Sequence, residues 1–135
     1  MNRDLILLGA APSREGCPFD TEVWATITIL RCKGWEDKHY DKLFNFDDFR
    51  SERDRQVGVM AHERNLPVVG PKFCMDVTEI YPMREVIERF DSLFFRNTMS
   101  YMIALALYQN YKHLSIWGVD QAGPQYESGR RYVTY

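Results

Sequence analysis

An α/β sandwich with a mostly parallel sheet is the fold this chain predicts, and three observations predict it. Short apolar or β-branched runs at 5–8, 24–30 and 113–120 alternate with segments of helical period, the order of elements expected when strands lie side by side and helices cover them. The first and last of these runs break at a glycine, Gly9 and Gly118, as strands buried on both faces do. With 135 residues, 45% of them hydrophobic and 14% aromatic, the chain can fill one core without disulfides or metal. Residues 1–135 are therefore read as one three-layer, Rossmann-like domain.

The elements follow in order. Leu5 to Leu8 form a continuous apolar strand, and residues 24–30 (WATITIL) form a second, rich in β-branched side chains. Between them "GCPFD" leaves room for no more than one helical turn at 19–23, capped by Asp20. Gly34 punctuates the next segment, and 43–46 (LFNF) reads as a short third strand. A helix is expected over 52–65, started at Ser51, carrying Val57, Met60 and Ala61 on one face and stopped by Pro67. Residues 67–70 make a fourth strand, and 71–81 read as irregular between Pro71 and Pro82. Pro82 suits the first turn of a helix whose stripe is Met83, Val86, Ile87 and Phe90. After Asn97, "TMSYMIALALYQNY" is apolar nearly all round, which places that helix inside the protein, and 113–120 is expected to be a second buried strand. The segment 121–135 reads as a mobile or subunit-contacting tail, and a short, aromatic-rich domain of this kind suggests a homo-oligomer.

Composition narrows the function. Seventeen basic against nineteen acidic residues give a net charge of −2, so the whole-protein basic field of a nucleic-acid binder is missing. No apolar stretch has the length of a membrane span. Cys17, Cys32 and Cys74 are too scattered for a disulfide framework or a zinc site, and His39, His62 and His113 show no ligand spacing. No metal site is expected, and the chain reads as a reduced, cytoplasmic protein.

In parallel α/β sheets, ligands sit outside the carboxyl ends of the strands. That rule directs attention to the loops at 9–14, 31–35 and 118–123. In the first, Gly9, Ala11, Pro12 and Ser13 make a thin turn that either cradles an oxyanion, with Ser13 and Arg14 as donors, or simply turns the chain. It is neither a P-loop nor a dinucleotide fingerprint. Asn97, Thr98 and Ser100 open the inner helix and either cap it or add an anion site to the cap. Asp120 at a strand end can hold a ribose hydroxyl, hold a metal or cap a turn. Arg31, Lys33, Arg130 and Arg131 are candidate partners for phosphate or carboxylate, or solvated surface charges. Tyr101, Tyr108 and Tyr111 read as packing, and His113 as a turn cap.

A family likeness extends this reading. "LILLGAAPSRE" resembles the glycine–x–glycine–proline–serine loop of bacterial sialyltransferases that use CMP-sialic acid, and of a related bacterial and phage group similar to archaeal hydroxymethylpterin diphosphokinases. "ILRCKGWEDKHY", "KLFNF" and "NTMSYMIALALYQNYKHLSIWGVD" resemble later segments of those proteins in the same order. The likeness implies a nucleotide bound across the strand ends. A nucleotide or nucleotide sugar, of CMP type as one candidate, is the expected ligand, and Mg²⁺ is a separate candidate companion ion. Gly9, Ala11, Pro12 and Ser13 would cradle phosphate or ribose, Asn45 would meet base or sugar, and Thr98 and Ser100 the anionic part. Apart from the likeness, an enzyme reading would use Arg14 or Lys33 to stabilise the leaving phosphate, with Asp120, Tyr126 or Asp47 as the candidates the chain offers for general base. Ala11, Lys33 and Ala122 stand where those sialyltransferases carry glycine, asparagine and tyrosine. The expected function is therefore a nucleotide-dependent transferase moving a glycosyl or diphosphate group, with a non-catalytic nucleotide-binding module as the alternative.

Overall fold

Residues 4–46, 52–74, 76–90 and 97–119 are described by a computed structural model, at 52–54 by the backbone alone. Their strands are β1 (Asp4–Leu8), β2 (Glu22–Thr26), β3 (Lys42–Phe44), β4 (Val68–Gly70), β5 (Glu79–Ile80) and β6 (His113–Trp117). All pair in parallel in one six-stranded sheet of order β5-β4-β3-β2-β1-β6. The helices are α1 (Glu52–Glu63), α2 (Met83–Phe90) and α3 (Thr98–Tyr108). The chain is thus an α/β protein with a Rossmann-like, wholly parallel sheet.

The topology has one consequence for function. From β1 to β5 the chain steps steadily across the sheet, then doubles back to lay β6 on the far side of β1. With right-handed crossovers, such a reversal moves the covering helices to the other face. The packing agrees. Leu5, Leu7, Trp24, Phe44 and Val69 face α2 and α3, whereas Ile6, Leu8, Val23, Ala25, Leu43 and Val68 face α1. Consecutive side chains of one strand feed opposite layers, as the two-residue period of a strand requires. β1 is buried on both faces from Leu5 to Leu8. The all-round apolar pattern after Asn97 is a buried helix, with Met99, Ser100 and Met102 to Ala106 inside. Fully burying a leucine or phenylalanine here contributes about 1.5–3 kcal/mol.

Several expectations need correction. The second strand stops at Thr26, and the β-branched residues beyond it form a 3-10 turn, Ile27–Arg31. β-branched residues suit any buried site, and here Ile27, Ile29 and Leu30 bury against the α1 layer rather than extend the ladder. No helical turn lies at 19–23; the turn between β1 and β2 is the 3-10 segment Pro12–Gly16, with proline at its start. The run 71–81 contains β5, added by a crossover too short for a helix and held by Thr78, whose N–H donates to the Val68 carbonyl. Finally, β6 is not a buried strand. As the last strand beside β1 among the described residues, it is only half covered, with His113 and Ser115 exposed. His113 opens this strand and caps no turn there. Among the described residues no helix is long and apolar enough to cross a membrane.

Candidate functional site

The reversal of strand order falls between β1 and β6, and the crevice outside such a point is where doubly wound sheets take ligands. At this point the two strand ends are drawn together. The Gly9 N–H donates to the Trp117 carbonyl (2.8 Å) and the Ala11 N–H to the Gly118 carbonyl (2.9 Å). The Ser13 hydroxyl accepts from the Gly118 N–H at 3.0 Å. The fit requires both glycines: a Cβ on Gly118, which sits at φ +73, would lie 2.0 Å from the Gly9 carbonyl oxygen, and one on Gly9 would lie 2.5 Å from that of Gly118. The thinness of the 9–13 loop therefore serves a backbone zipper between β1 and β6. Gly9, Ala11 and Ser13 each give a group to it.

Beyond the zipper the loop turns onto the α1 face. Arg14 donates from Nη1 to the Ala10 carbonyl (2.9 Å), and its guanidinium carbon stands 5.4 Å from the centroid of the Trp35 ring. The Lys38 ammonium approaches the same ring at 4.8 Å. Trp35, itself 6% exposed, is held from below: Tyr40 donates its phenolic hydrogen to the Trp35 carbonyl (2.5 Å), and Arg64 bonds the carbonyls of Glu36 and Lys38. Burial pushes the Tyr40 phenol upward, so it stays a donor through the physiological range. Burial likewise raises the Cys17 thiol, which packs beside this cluster in its neutral form. Lys33 lies exposed in the turn that precedes Trp35, and Pro12 is exposed at the start of the 3-10 turn.

Farther along the same edge, Asn45 follows β3 and is 1% exposed. Its amide Nδ2 lies 3.2 and 3.4 Å from the two carboxylate oxygens of Asp76. Asp76 in turn sits against Gly58 in the second turn of α1, where a Cβ would come within 3.0 Å of a carboxylate oxygen. Asn45 thus reaches the predicted edge, but its amide is turned to a neighbouring acid on the α1 face.

The start of α3 lies over the opposite face. Asn97 caps the helix, its Oδ1 accepting from both the N–H (2.8 Å) and the hydroxyl (3.0 Å) of Ser100. Ser100 is buried and Thr98 half-buried. Tyr101 stacks on Phe46 at 4.1 Å with nearly parallel rings, and Tyr81 meets both edge-on while donating its hydroxyl to the Tyr101 carbonyl (2.7 Å). These contacts join the front of α3 to the strand end after β3. Thr26 closes β2 at the same edge, its hydroxyl 3.2 Å from that of Thr28.

The predicted residues therefore share one edge but divide between two faces. Arg14 and Asn45 belong with α1, Thr98 and Ser100 with α3, and Ser13 with the zipper between β1 and β6. Asp47, Asp120 and Tyr126 lie outside the described residues. Trp35 closes the 31–35 loop expected at this edge, although the sequence assigns its side chain no role; Lys38, Asp76 and the Thr26–Thr28 pair were not anticipated as part of the site. Nothing local marks Asp76, whose neighbours come from distant segments.

No protein-family model matches this chain, and no curated protein or solved structure matches it.

Proposed function

We propose that this chain binds a nucleotide or nucleotide sugar outside the carboxyl ends of β1, β2 and β3, and transfers a glycosyl or diphosphate group from it. The observation that carries the reading is the reversal of strand order at β1, which sets the 9–14 loop and its arginine at the edge where parallel sheets take ligands. Arg14 and Lys38 supply positive charge there, the half-buried Phe46–Tyr101 stack offers aromatic surface for a base, and the Thr26 and Thr28 hydroxyls suit sugar oxygens. Mg²⁺ is the candidate companion of the phosphates, and Asp120, Tyr126 or Asp47 are the candidate general bases that the chain's own residues offer. The same edge also supports a non-catalytic nucleotide-binding module, because the hydroxyls of Ser13 and Ser100 are engaged in holding the fold.

A thermal-shift screen over nucleotides and nucleotide sugars, with and without Mg²⁺, tests the binding reading. A true ligand at a hundred times its dissociation constant adds about 2.7 kcal/mol of stability. No shift with any member of the screen rejects the proposal. Incubating the best ligand with the protein and analysing products then separates transferase from binding module: conversion supports the first, unchanged ligand the second.

A further inference from the structure

Resting on the reading of the carboxyl edge as a nucleotide site, we propose that the phosphate end of the ligand docks side-on against the Nε/Nη2 edge of Arg14, on the α1 face, and not at the start of α3. The argument begins with the donors that are already spent. At the front of α3, the N–H and hydroxyl of Ser100 both serve Asn97. In the loop after β1, the N–H groups of Gly9 and Ala11 serve the carbonyls at the end of β6, and the Ser13 hydroxyl accepts from Gly118. At both places that first suggest a phosphate cradle, several groups already serve the fold: the Ser100 donors, the Gly9 and Ala11 N–H groups, and the Ser13 oxygen as an acceptor.

Arg14 differs. Its Nη1 bond to Ala10 and its position over Trp35 fix the plane of the guanidinium. Its Nε is buried and has no acceptor among the described residues. Its Nη2 lies 4.0 Å from a carboxylate oxygen of Glu15, a separation beyond hydrogen-bond range, and that glutamate side chain is 71% exposed. A buried N–H on a cation is costly to leave without a partner, and the Nε/Nη2 pair is one of the edges from which arginine grips an oxyanion with two parallel bonds. Lys38 adds a second positive charge over the same tryptophan. The ligand's polarity follows: phosphate toward Arg14 and Lys38, the neutral sugar and base toward Thr26, Phe46 and Thr98.

The test is an NMR titration of ¹⁵N-labelled protein with pyrophosphate, CMP and cytidine, on wild type, Arg14→Lys, Arg14→Gln and Thr98→Ala. Arg14→Lys keeps the charge and the stem over Trp35 while removing the two-pronged edge, so the fold is retained if Arg14→Gln loses it. Pyrophosphate should move the Arg14 Nε–H resonance of the wild type. Both Arg14 variants should bind pyrophosphate and CMP about tenfold to a hundredfold more weakly, the loss expected for charge-assisted bonds. Cytidine should bind them as it binds the wild type, and Thr98→Ala should leave pyrophosphate affinity unchanged. CMP bound with equal strength by wild type and Arg14→Lys overturns the phosphate assignment while leaving the nucleotide reading in place. Pyrophosphate bound through Arg14 with no added affinity for CMP upholds the anion subsite and rejects the nucleotide. Binding of neither probe overturns the assignment.

Discussion

Alanine at Gly118 and at Gly34 should differ sharply in cost, although both glycines sit at positive φ, +73 and +85. Gly34 has nothing within 4 Å of the position a Cβ would take, so its substitution carries only the left-handed backbone strain. That strain is about 1–2 kcal/mol for an L-residue, offset by about 0.4–1 kcal/mol from the stiffer unfolded chain. The net loss is about 1 kcal/mol. At Gly118 the same strain is joined by a Cβ 2.0 Å from the Gly9 carbonyl oxygen, a clash with backbone that no rotamer relieves. Forcing β1 and β6 apart adds about 1–3 kcal/mol, the usual cost of overpacking, and breaks the bonds from Ala11 to Gly118 and from Gly118 to Ser13. Gly118→Ala should therefore lose about 2–4 kcal/mol against about 1 for Gly34→Ala. Urea melts followed by circular dichroism measure both, and near the melting midpoint each kcal/mol moves Tm by roughly 4 °C in a domain of this size. Equal losses at the two sites would refute the zipper between the first and last strands.

Ser13→Ala should cost about 1 kcal/mol in the absence of any ligand, because the Gly118 N–H loses its acceptor; a melt unchanged from wild type would contradict that role. Asn97→Ala should lose about 1 kcal/mol through the α3 cap, read by the same melts. Gly58→Ala should gain helix propensity of roughly 1 kcal/mol only when Asp76 is also cut back to glycine, since its Cβ as well as its carboxylate lies within about 3.2 Å of the added methyl, so a double-mutant cycle should show coupling between the two positions. Burial holds the Tyr40 and Tyr81 phenols above the ordinary tyrosine value, so the folded state keeps protons that the unfolded state releases. The contribution of these two phenols should thus be constant below about pH 10 and be lost as pH rises above it, and Tyr81→Phe should lessen the alkaline fall in melts run across that range.

Much of the fold was legible because its cues are local. The run Leu5 to Leu8 before Gly9, the helix stop at Pro67 and the all-round apolar helix after Asn97 each express a periodicity or a backbone restriction within a few residues. The misread elements depend on what lies opposite. Ile27 to Leu30 carry strand-like side chains, yet the buried layer against α1 accepts them in a 3-10 turn. Residues 113–117 are apolar enough for a central strand, but burial of a strand is set by its place in the sheet, and β6 has a described neighbour on one side only. β5 is two residues long and carries no periodicity to read.

The candidate site shows the same division. The carboxyl edge was predictable from the order of elements, and Arg14 and Asn45 reach it. How the fold itself uses Ser13, as an acceptor, and Ser100, as a donor, was not predictable, since their partners lie 105 and three residues away in sequence. The strand order brings the 9–14 and 31–35 loops to one edge, but the contact of Arg14 and Lys38 with the Trp35 ring is a side-chain meeting that sequence does not show.

The most direct measurement of the central claim is a backbone amide chemical-shift map recorded with the best nucleotide from the thermal screen. The account predicts that perturbed resonances cluster at Ala10 to Arg14, Thr26 to Thr28, Trp35 and Asn45, all at the carboxyl edge. Perturbations centred instead on the opposite edge, at Asp4, Thr21 and Lys112, would contradict it.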